Sequence, residues 1–462
     1  MSAMIDPMSD PMSPPRLAGM RRSSNMHVLD NLSVSPPGSQ TVPYAAPYYY
    51  LSPAASEALP KFQYNGTDLS PIYKHILSPM AQYFVDHWTP TWVAPNAITL
   101  FGLVWMLVSY GLLWYYYPNM DEGAPGGDSE SAPPLWPFAF ASVAILIYQT
   151  LDNMDGKQSR KTGSSSPLGL LFDHGIDSIN SIFGSANMIC AMGFYPAADQ
   201  WQIWVIVLGP MAAFYITTWE EYYTGELLLP FANGPTEGLL IAAASYASTA
   251  YLGVEYFHET DWYDYFFGPY FVDQLPENIA DSILPRDGSL PRNCDIVAVI
   301  FILGIGRELV YRTVWMANSY GSSSLIEVLP MALLCASPLL LGMGSDETGG
   351  VLSRCPRTCL HLISALFVEA VTQLMLDSMT TGVFRGLRPC QVPLIILTIL
   401  LWAGLGPAPA TLDNLILAYA AGMTAFLAMK FRVIVHEICD LLKIYCFDIV
   451  TPHTKKKLAK LE

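Results

Sequence analysis

Residues 135–195 read LWPFAFASVAILIYQTLDNMDGKQSRKTGSSSPLGLLFDHGIDSINSIFGSANMICAMGFY. Two apolar runs, 135–151 and 174–195, frame a polar segment. Each run is close to the ~20 residues an α-helix needs to cross a bilayer. Lipid offers backbone groups no hydrogen-bond partner, so both runs must be helical. The polar segment is short enough to make the two helices antiparallel neighbours. Asp152 and Asp155 close the first run, and Asp173 and Asp177 open the second. Spacings of three and four residues put each pair on one helical face. Four carboxylates then converge on one cavity at one membrane surface, where carboxylates are costly and mark function.

Such a cluster repels itself unless some of its members protonate or a divalent cation sits among them. Oxygen ligands without a nearby cysteine favour Mg²⁺ or Mn²⁺ over zinc. Magnesium commonly shares protein carboxylates with substrate phosphates, which points to a phosphorylated substrate. Arg160 and Lys157 supply positive charge for such phosphates, Arg being the better bidentate partner. Gly156 and Gly169 lack side chains, so backbone or ligand can approach closely. The competing reading is a salt-bridge network between two helices with no metal.

The same pattern extends outward in both directions. Apolar stretches lie near 97–117, 135–151, 174–195, 201–218, 237–257, 294–315, 324–343, 357–380, 391–408 and 412–435. The expected fold is therefore all-α, a polytopic membrane protein of about ten transmembrane helices. Before the first span, Tyr73, Ile76, Leu77, Tyr83, Phe84 and Trp88 recur at roughly helical spacing. They suit an amphipathic helix in the headgroup layer, or equally a capping helix packed on the protein. Residues 1–60, with ten prolines and ten serines, read as a disordered tail. The membrane domain is expected over 61–450, followed by a basic cytosolic tail at 451–462.

Composition agrees. Of 462 residues, 52% are hydrophobic and 13% charged, against about 25% charged in ordinary soluble domains. With 39 acidic and 23 basic side chains the net charge is −16, which excludes a nucleic-acid partner. Lys157, Arg160 and Lys161 follow the second span, Arg312 the sixth, Arg385 and Arg388 the eighth, and Lys455–Lys457 lie near the C-terminus. Alternating spans put all of these on one side, and basic loops stay cytosolic. The opposite loops are acidic, with seven acids and two arginines over 258–293. The eight cysteines form no CxxC pair and are expected to be free thiols.

Asp152, Asp155, Gly156, Ser159, Arg160, Gly169, Asp173 and Asp177 together resemble the signature of the CDP-alcohol phosphatidyltransferase superfamily. DGKQSRKTGSSSPLG and FDHGIDS are similar to eukaryotic choline/ethanolamine phosphotransferases, as are APNAITLFGL at 94–103, TTWEEYYTGELLLP at 217–230 and NGPTEG at 233–238. The resemblance covers roughly residues 61–450, with Ser159 where the family usually has Ala. It implies an enzyme that moves phosphocholine or phosphoethanolamine from CDP-choline or CDP-ethanolamine to diacylglycerol, releasing CMP. By the same resemblance Asp152, Asp155, Asp173 and Asp177 are the metal-binding acids. Asn96, Gly156, Arg160 and Gly169 fall in the CDP-alcohol site, and His174 stands as general base. A homodimer embedded in membrane lipid, in the endoplasmic reticulum or Golgi with a cytosolic active site, is also implied.

The base reading has a chemical rationale, because an imidazole with a pKa near 6.5 is workable at cytosolic pH. One departure stands out: the family commonly has Glu where this chain has Leu170, three residues before Asp173. Leucine accepts no hydrogen bond, so Glu220, Glu221 or Glu237 must substitute, or the protein is a weak relative that binds CDP-alcohol or lipid and regulates. Trp219, Glu220 and Tyr222, with Glu221 and Tyr223 beside them, form a candidate headgroup site through cation–π attraction, or simply an interfacial aromatic belt. Glu308, Glu327, Glu369 and Asp377 carry no comparable pattern. A transporter would spread its acids along a pore, whereas these gather at one face.

Overall fold

A computed structural model describes residues 48–122, 133–263, 265, 290–342, 350–380 and 388–449. Most of residues 1–60 and the whole of the 451–462 tail lie outside the described residues. The described chain is helical apart from one short parallel ladder. In chain order the elements are α1 (Pro53–Ala58), β1 (Gly66–Asp68), α2 (Ser78–His87), α3 (Pro95–Tyr116), α4 (Trp136–Thr162), α5 (Pro167–Met192), α6 (Gln200–Thr224), β2 (Leu227–Leu229) and α7 (Leu239–Leu252). Then follow α8 (Asn293–Tyr320), α9 (Leu329–Gly342), α10 (Val351–Arg354), α11 (Pro356–Met379), α12 (Val392–Trp402) and α13 (Pro409–Leu442).

Four of these, α3, α6, α11 and α13, are long and apolar enough to cross a membrane by length and composition. Helix α11 is the pillar of the bundle, with nearly every residue from Cys359 to Met379 buried against α5, α6 and α13. Helix α3 packs along both α4 and α5. Ile145 and Tyr148 of α4, Phe183 and Ile189 of α5, and Met106 and Tyr110 of α3 belong to the same core.

The turn between α4 and α5 spans only Gly163–Ser166, and its chemistry is local. Gly163 takes the left-handed conformation at φ 67° that ends α4. Ser166 caps α5 by accepting from the Gly169 N–H, and Pro167 occupies the first turn. Asp152 and Asp155 therefore lie inside α4, which runs on through Thr162 rather than ending at 151.

Two features depart from the sequence reading. First, the ladder pairs Gly66 with Leu227 and Asp68 with Leu229, tying the chain before α2 to the loop after α6. Asp68 accepts from the Asn233 amide and the Thr236 hydroxyl, and Glu237 accepts from the Ser70 hydroxyl and the Asn233 N–H. NGPTEG is thus a latch for the chain that precedes α2. Second, the expected tail boundary at 60 falls inside folded chain. Glu437 of α13 accepts the backbone N–H groups of Tyr49, Tyr50 and Leu51. Leu51, Ala55 and Leu59 are buried against Leu168, Leu171, Met375, Met379, Ile434 and Ile438. Composition missed this segment because its partners are distant in the chain, those on α13 more than 370 residues away.

Helix α2 buries Ala81 and Val85 against Ile98 and Met154, while Ile76, Tyr83 and Trp88 remain exposed on the chain around it. Helix α4 holds it through Lys157, whose Nζ donates to Ser78 Oγ at 2.8 Å, and Lys161, which donates to the carbonyls of Val85 and Thr89. All eight cysteines are free.

Candidate active site

The hairpin of α4 and α5 brings together the carboxylates of Asp152, Asp155 and Asp173, with one oxygen from each within 4.8 Å of the others. Asp152 Oδ1 and Asp173 Oδ1 are buried and meet no hydrogen-bond donor. Asp155 Oδ2 accepts from Thr99 Oγ1 of α3 at 2.5 Å. Asp177 lies one turn further along α5, facing Asp152, and accepts from the Tyr148 hydroxyl of α4. The structure thus groups three of the four acids as one candidate ligand set and gives the fourth a protein donor.

Orphaned buried carboxylate oxygens are expensive unless something positive meets them. Among the described residues no lysine or arginine forms an ion pair with these acids. An all-oxygen set of this kind fits a hard divalent cation. Asp152, Asp155 and Asp173 are the residues that would hold it.

The rim of the cluster is open. A side chain added at Gly156 would meet only Arg160 Nη1, at 3.6 Å. One added at Gly169 would sit 3.7 Å from Asn96 Oδ1 and 3.8 Å from Ser166 Oγ. At both glycines an added side-chain carbon would meet only polar side-chain atoms at ordinary contact distance. Asn96 is buried, and its Nδ2 donates to the Cys446 carbonyl at 2.9 Å. Because a carbonyl can only accept, that bond turns Asn96 Oδ1 toward Gly169. Arg160 is exposed and forms no ion pair among the described residues, whereas Lys157 and Lys161 are spent on the α2 segment. Of the three cations near the acids, Arg160 alone remains for a phosphate.

His174 follows Asp173 on α5 and is flanked by two rings. Tyr64 meets it edge-on at 6.1 Å between centroids and Phe214 of α6 at 6.3 Å. The Tyr64 hydroxyl folds back over Gly66. Its desolvation pushes the phenol well above the ordinary tyrosine range, with Glu221, Asp173 and Asp177 adding to the effect. Leu170, one turn before His174, is half-buried in the apolar cluster with Tyr48, Tyr50 and Phe62.

The headgroup trio expected from sequence fares differently. Trp219 is fully buried and its Nε1 donates to Glu327 Oε2 at 3.1 Å. Glu220 is paired with Arg312 of α8, which also holds Glu308. Tyr222 is buried and packs edge-on against Tyr223. The polar groups of Trp219 and Glu220 are therefore already engaged by α8 and the turn before α9.

Sequence reasoning missed Thr99, Tyr148 and Tyr64. Thr99 stands three residues after Asn96 and Tyr148 four before Asp152, so helical spacing could have found both. Tyr64 offers no such signal, being 110 residues from His174.

A family model described as CDP-alcohol phosphatidyltransferase matches residues 92–256, which include every acid of the cluster. Choline/ethanolaminephosphotransferase 1 of Arabidopsis thaliana is 39% identical over 211 residues, 45% of this chain and 49% of the relative, about half its length. Choline/ethanolaminephosphotransferase 2 of the same plant is 31% identical over 417 residues, covering 87% of this chain and 98% of the relative. Ethanolaminephosphotransferase 1 of Homo sapiens is 25% identical over 411 residues, 88% of this chain and 97% of the relative. The chain belongs to the CDP-alcohol phosphatidyltransferase family.

Proposed function

We propose that the protein transfers phosphocholine or phosphoethanolamine from a CDP-alcohol to the free hydroxyl of diacylglycerol. The acceptor oxygen forms a bond to the phosphorus carrying the alcohol, the bond from that phosphorus to the CMP oxygen breaks, and CMP leaves. The observation that carries this reading is the pair of orphaned, buried oxygens on Asp152 and Asp173 beside Asp155. Mg²⁺ or Mn²⁺ bound there would neutralise pyrophosphate and leaving-group charge. The chain's own residues supply the rest. Arg160 binds a phosphate oxygen, and Asn96 with Gly156 and Gly169 shapes the nucleotide cleft. Thr99 and Tyr148 orient Asp155 and Asp177. His174 takes the acceptor's proton as the new bond forms.

We further read α4, α5 and the other long helices as spans of a bundle of about ten. Its acid cluster opens to the cytosol beside the basic residues, in endoplasmic reticulum or Golgi membrane. The exposed Ile76, Tyr83 and Trp88 suit the headgroup layer. A second reading, a weak relative that binds CDP-alcohol without efficient transfer, is favoured by Leu170, whose side chain lies in apolar surroundings.

Microsomes containing the protein, given diacylglycerol and labelled CDP-choline or CDP-ethanolamine, test both readings. Phospholipid should form with Mg²⁺ or Mn²⁺ and cease with EDTA. Donor binding without product from either CDP-alcohol would establish the second reading.

A further inference from the structure

Residues 48–70 form an arm that is tied at both ends and passes the start of α5 between them. At its first end the Tyr48 hydroxyl donates to Asp440 Oδ2 at 2.7 Å, and Glu437 accepts the backbone N–H groups of Tyr49, Tyr50 and Leu51. At its second end Gly66–Asp68 pair with Leu227–Leu229, and the Leu69 N–H extends the ladder to the Leu229 carbonyl at 3.0 Å. Between the ties Leu51 is 2% and Leu59 0% exposed, in one cluster with Leu168 and Leu171 of α5 and Ile438 of α13. Helix α1 has six residues, too few to persist alone, so these anchors hold the arm in place.

The arm follows the flank of the acid-bearing face. At about 100° per residue, Leu170 and His174 stand about 60° and 100° around α5 from Asp173, with Asp177 about 40° from it on the same side. Leu170 joins the cluster that holds Tyr50 and Phe62, and His174 meets the Tyr64 ring edge-on at 6.1 Å. One stretch of chain thus borders both the candidate base and the residue one turn before it, with apolar and aromatic side chains. Neither metal binding nor proton transfer needs such a wall. Competition from water does, because a water-soluble donor and a lipid acceptor must meet in one site where water is itself an acceptor. Excluding water from a closed site suppresses that side reaction.

We propose that residues 48–70 act as a belt that keeps water from serving as acceptor beside His174, with Leu170 as its seat on α5; the inference rests on the phosphotransfer reading above. In the suppressed reaction a water oxygen bonds to the phosphorus carrying the alcohol, and His174 takes the water's proton. The bond from that phosphorus to the CMP oxygen breaks. Phosphocholine or phosphoethanolamine and CMP result, so donor is spent without lipid product. The belt selects a lipid hydroxyl over water, and Leu51, Leu59 and Glu437 are positioning residues.

The test uses full-length protein in diacylglycerol-free nanodiscs with Mg²⁺ and a CDP-alcohol labelled in the alcohol. Released water-soluble phosphoalcohol reads hydrolysis, and phospholipid formed on adding diacylglycerol reads transfer. Leu51→Ser and Glu437→Ala each loosen the first tie, and neither residue belongs to the acid cluster. Both should raise hydrolysis about 10-fold over wild type, while transfer falls no more than about 3-fold. Hydrolysis that stays at the wild-type level, or falls in step with transfer, would make the arm a stabilising element only and overturn the proposal. If Leu51→Ser fails to accumulate, Glu437→Ala decides alone by the same two rates. Wild type that transfers from either donor, with no gain of hydrolysis in the variants, overturns the belt alone. Wild type that yields phospholipid from neither donor overturns the phosphotransfer reading, and the belt with it.

Discussion

Among the clusters of buried charge in the described residues, two are solved in opposite ways. On α11, Glu369 accepts from Arg388 Nη2 at 2.6 Å and from Lys430 Nζ of α13 at 2.8 Å, and Lys430 is 1% exposed. That cluster is closed, because every buried charge in it meets an opposite charge from the chain. On α4 and α5, Asp152, Asp155 and Asp173 crowd within 4.8 Å and meet no cation among the described residues. Burial demands compensation in both places. In the first the chain supplies it, and the result is structure. In the second no cation comes from the described residues, and one from outside would supply it.

The comparison breaks if the second cluster proves to be merely structural. Asp173→Asn should lower transfer by about three orders of magnitude, because charge stabilisation at the pyrophosphate is lost. Its folded state should melt no lower than wild type in metal-free buffer, since one repulsive charge is gone. A marked drop in melting temperature would place Asp173 with Glu369. Glu369→Ala should do the reverse, destabilising the fold by about 3–5 kcal/mol by stranding Lys430 and Arg388. Thermal melting in detergent reads this, and an unshifted curve would deny the closed cluster its structural role.

Metal sharpens the contrast. Mg²⁺ or Mn²⁺ at about 100 times its dissociation constant should stabilise wild type by about 2.7 kcal/mol. EDTA should reverse the shift, and Asp173→Asn should show none of it. The smallest effect concerns orientation. Thr99→Val removes the donor to Asp155 Oδ2 and should weaken apparent metal affinity about 10- to 100-fold, as partners of metal ligands do. Unchanged metal dependence would make Thr99 dispensable.

The hairpin that carries the acids was legible because its signals are local. Spacings of three and four within each pair and the short segment between the pairs were enough to join them, although the helix ends set by Gly163, Ser166 and Pro167 were not read. The acids stand out against apolar runs that tolerate few charges. What escaped was nonlocal or angular. Glu220 and Glu221 are consecutive, yet a step of about 100° around α6 sends one to Arg312 and leaves the other without a side-chain hydrogen bond or ion pair among the described residues. Lys157 and Arg160 both read as phosphate binders, with Arg the better partner, but Lys157 is directed to Ser78. Residues 48–59 read as tail because proline and serine dominate the N-terminal composition. Their order depends on Glu437 and on apolar side chains of α5, α11 and α13.

The amino-acid sequence on its own indicated a helical chain with apolar runs of membrane-crossing length, and it singled out four aspartates, three of which, Asp152, Asp155 and Asp173, the structure groups. Those facts follow from hydrophobic run length and helical period, both properties of neighbouring residues. Only the tertiary structure decided which acids remain unpartnered, which cations are free and which aromatic ring borders His174. Partnership depends on which helix face meets which, and packing across the bundle sets that. It does so between residues such as Tyr64 and His174 that no local pattern connects.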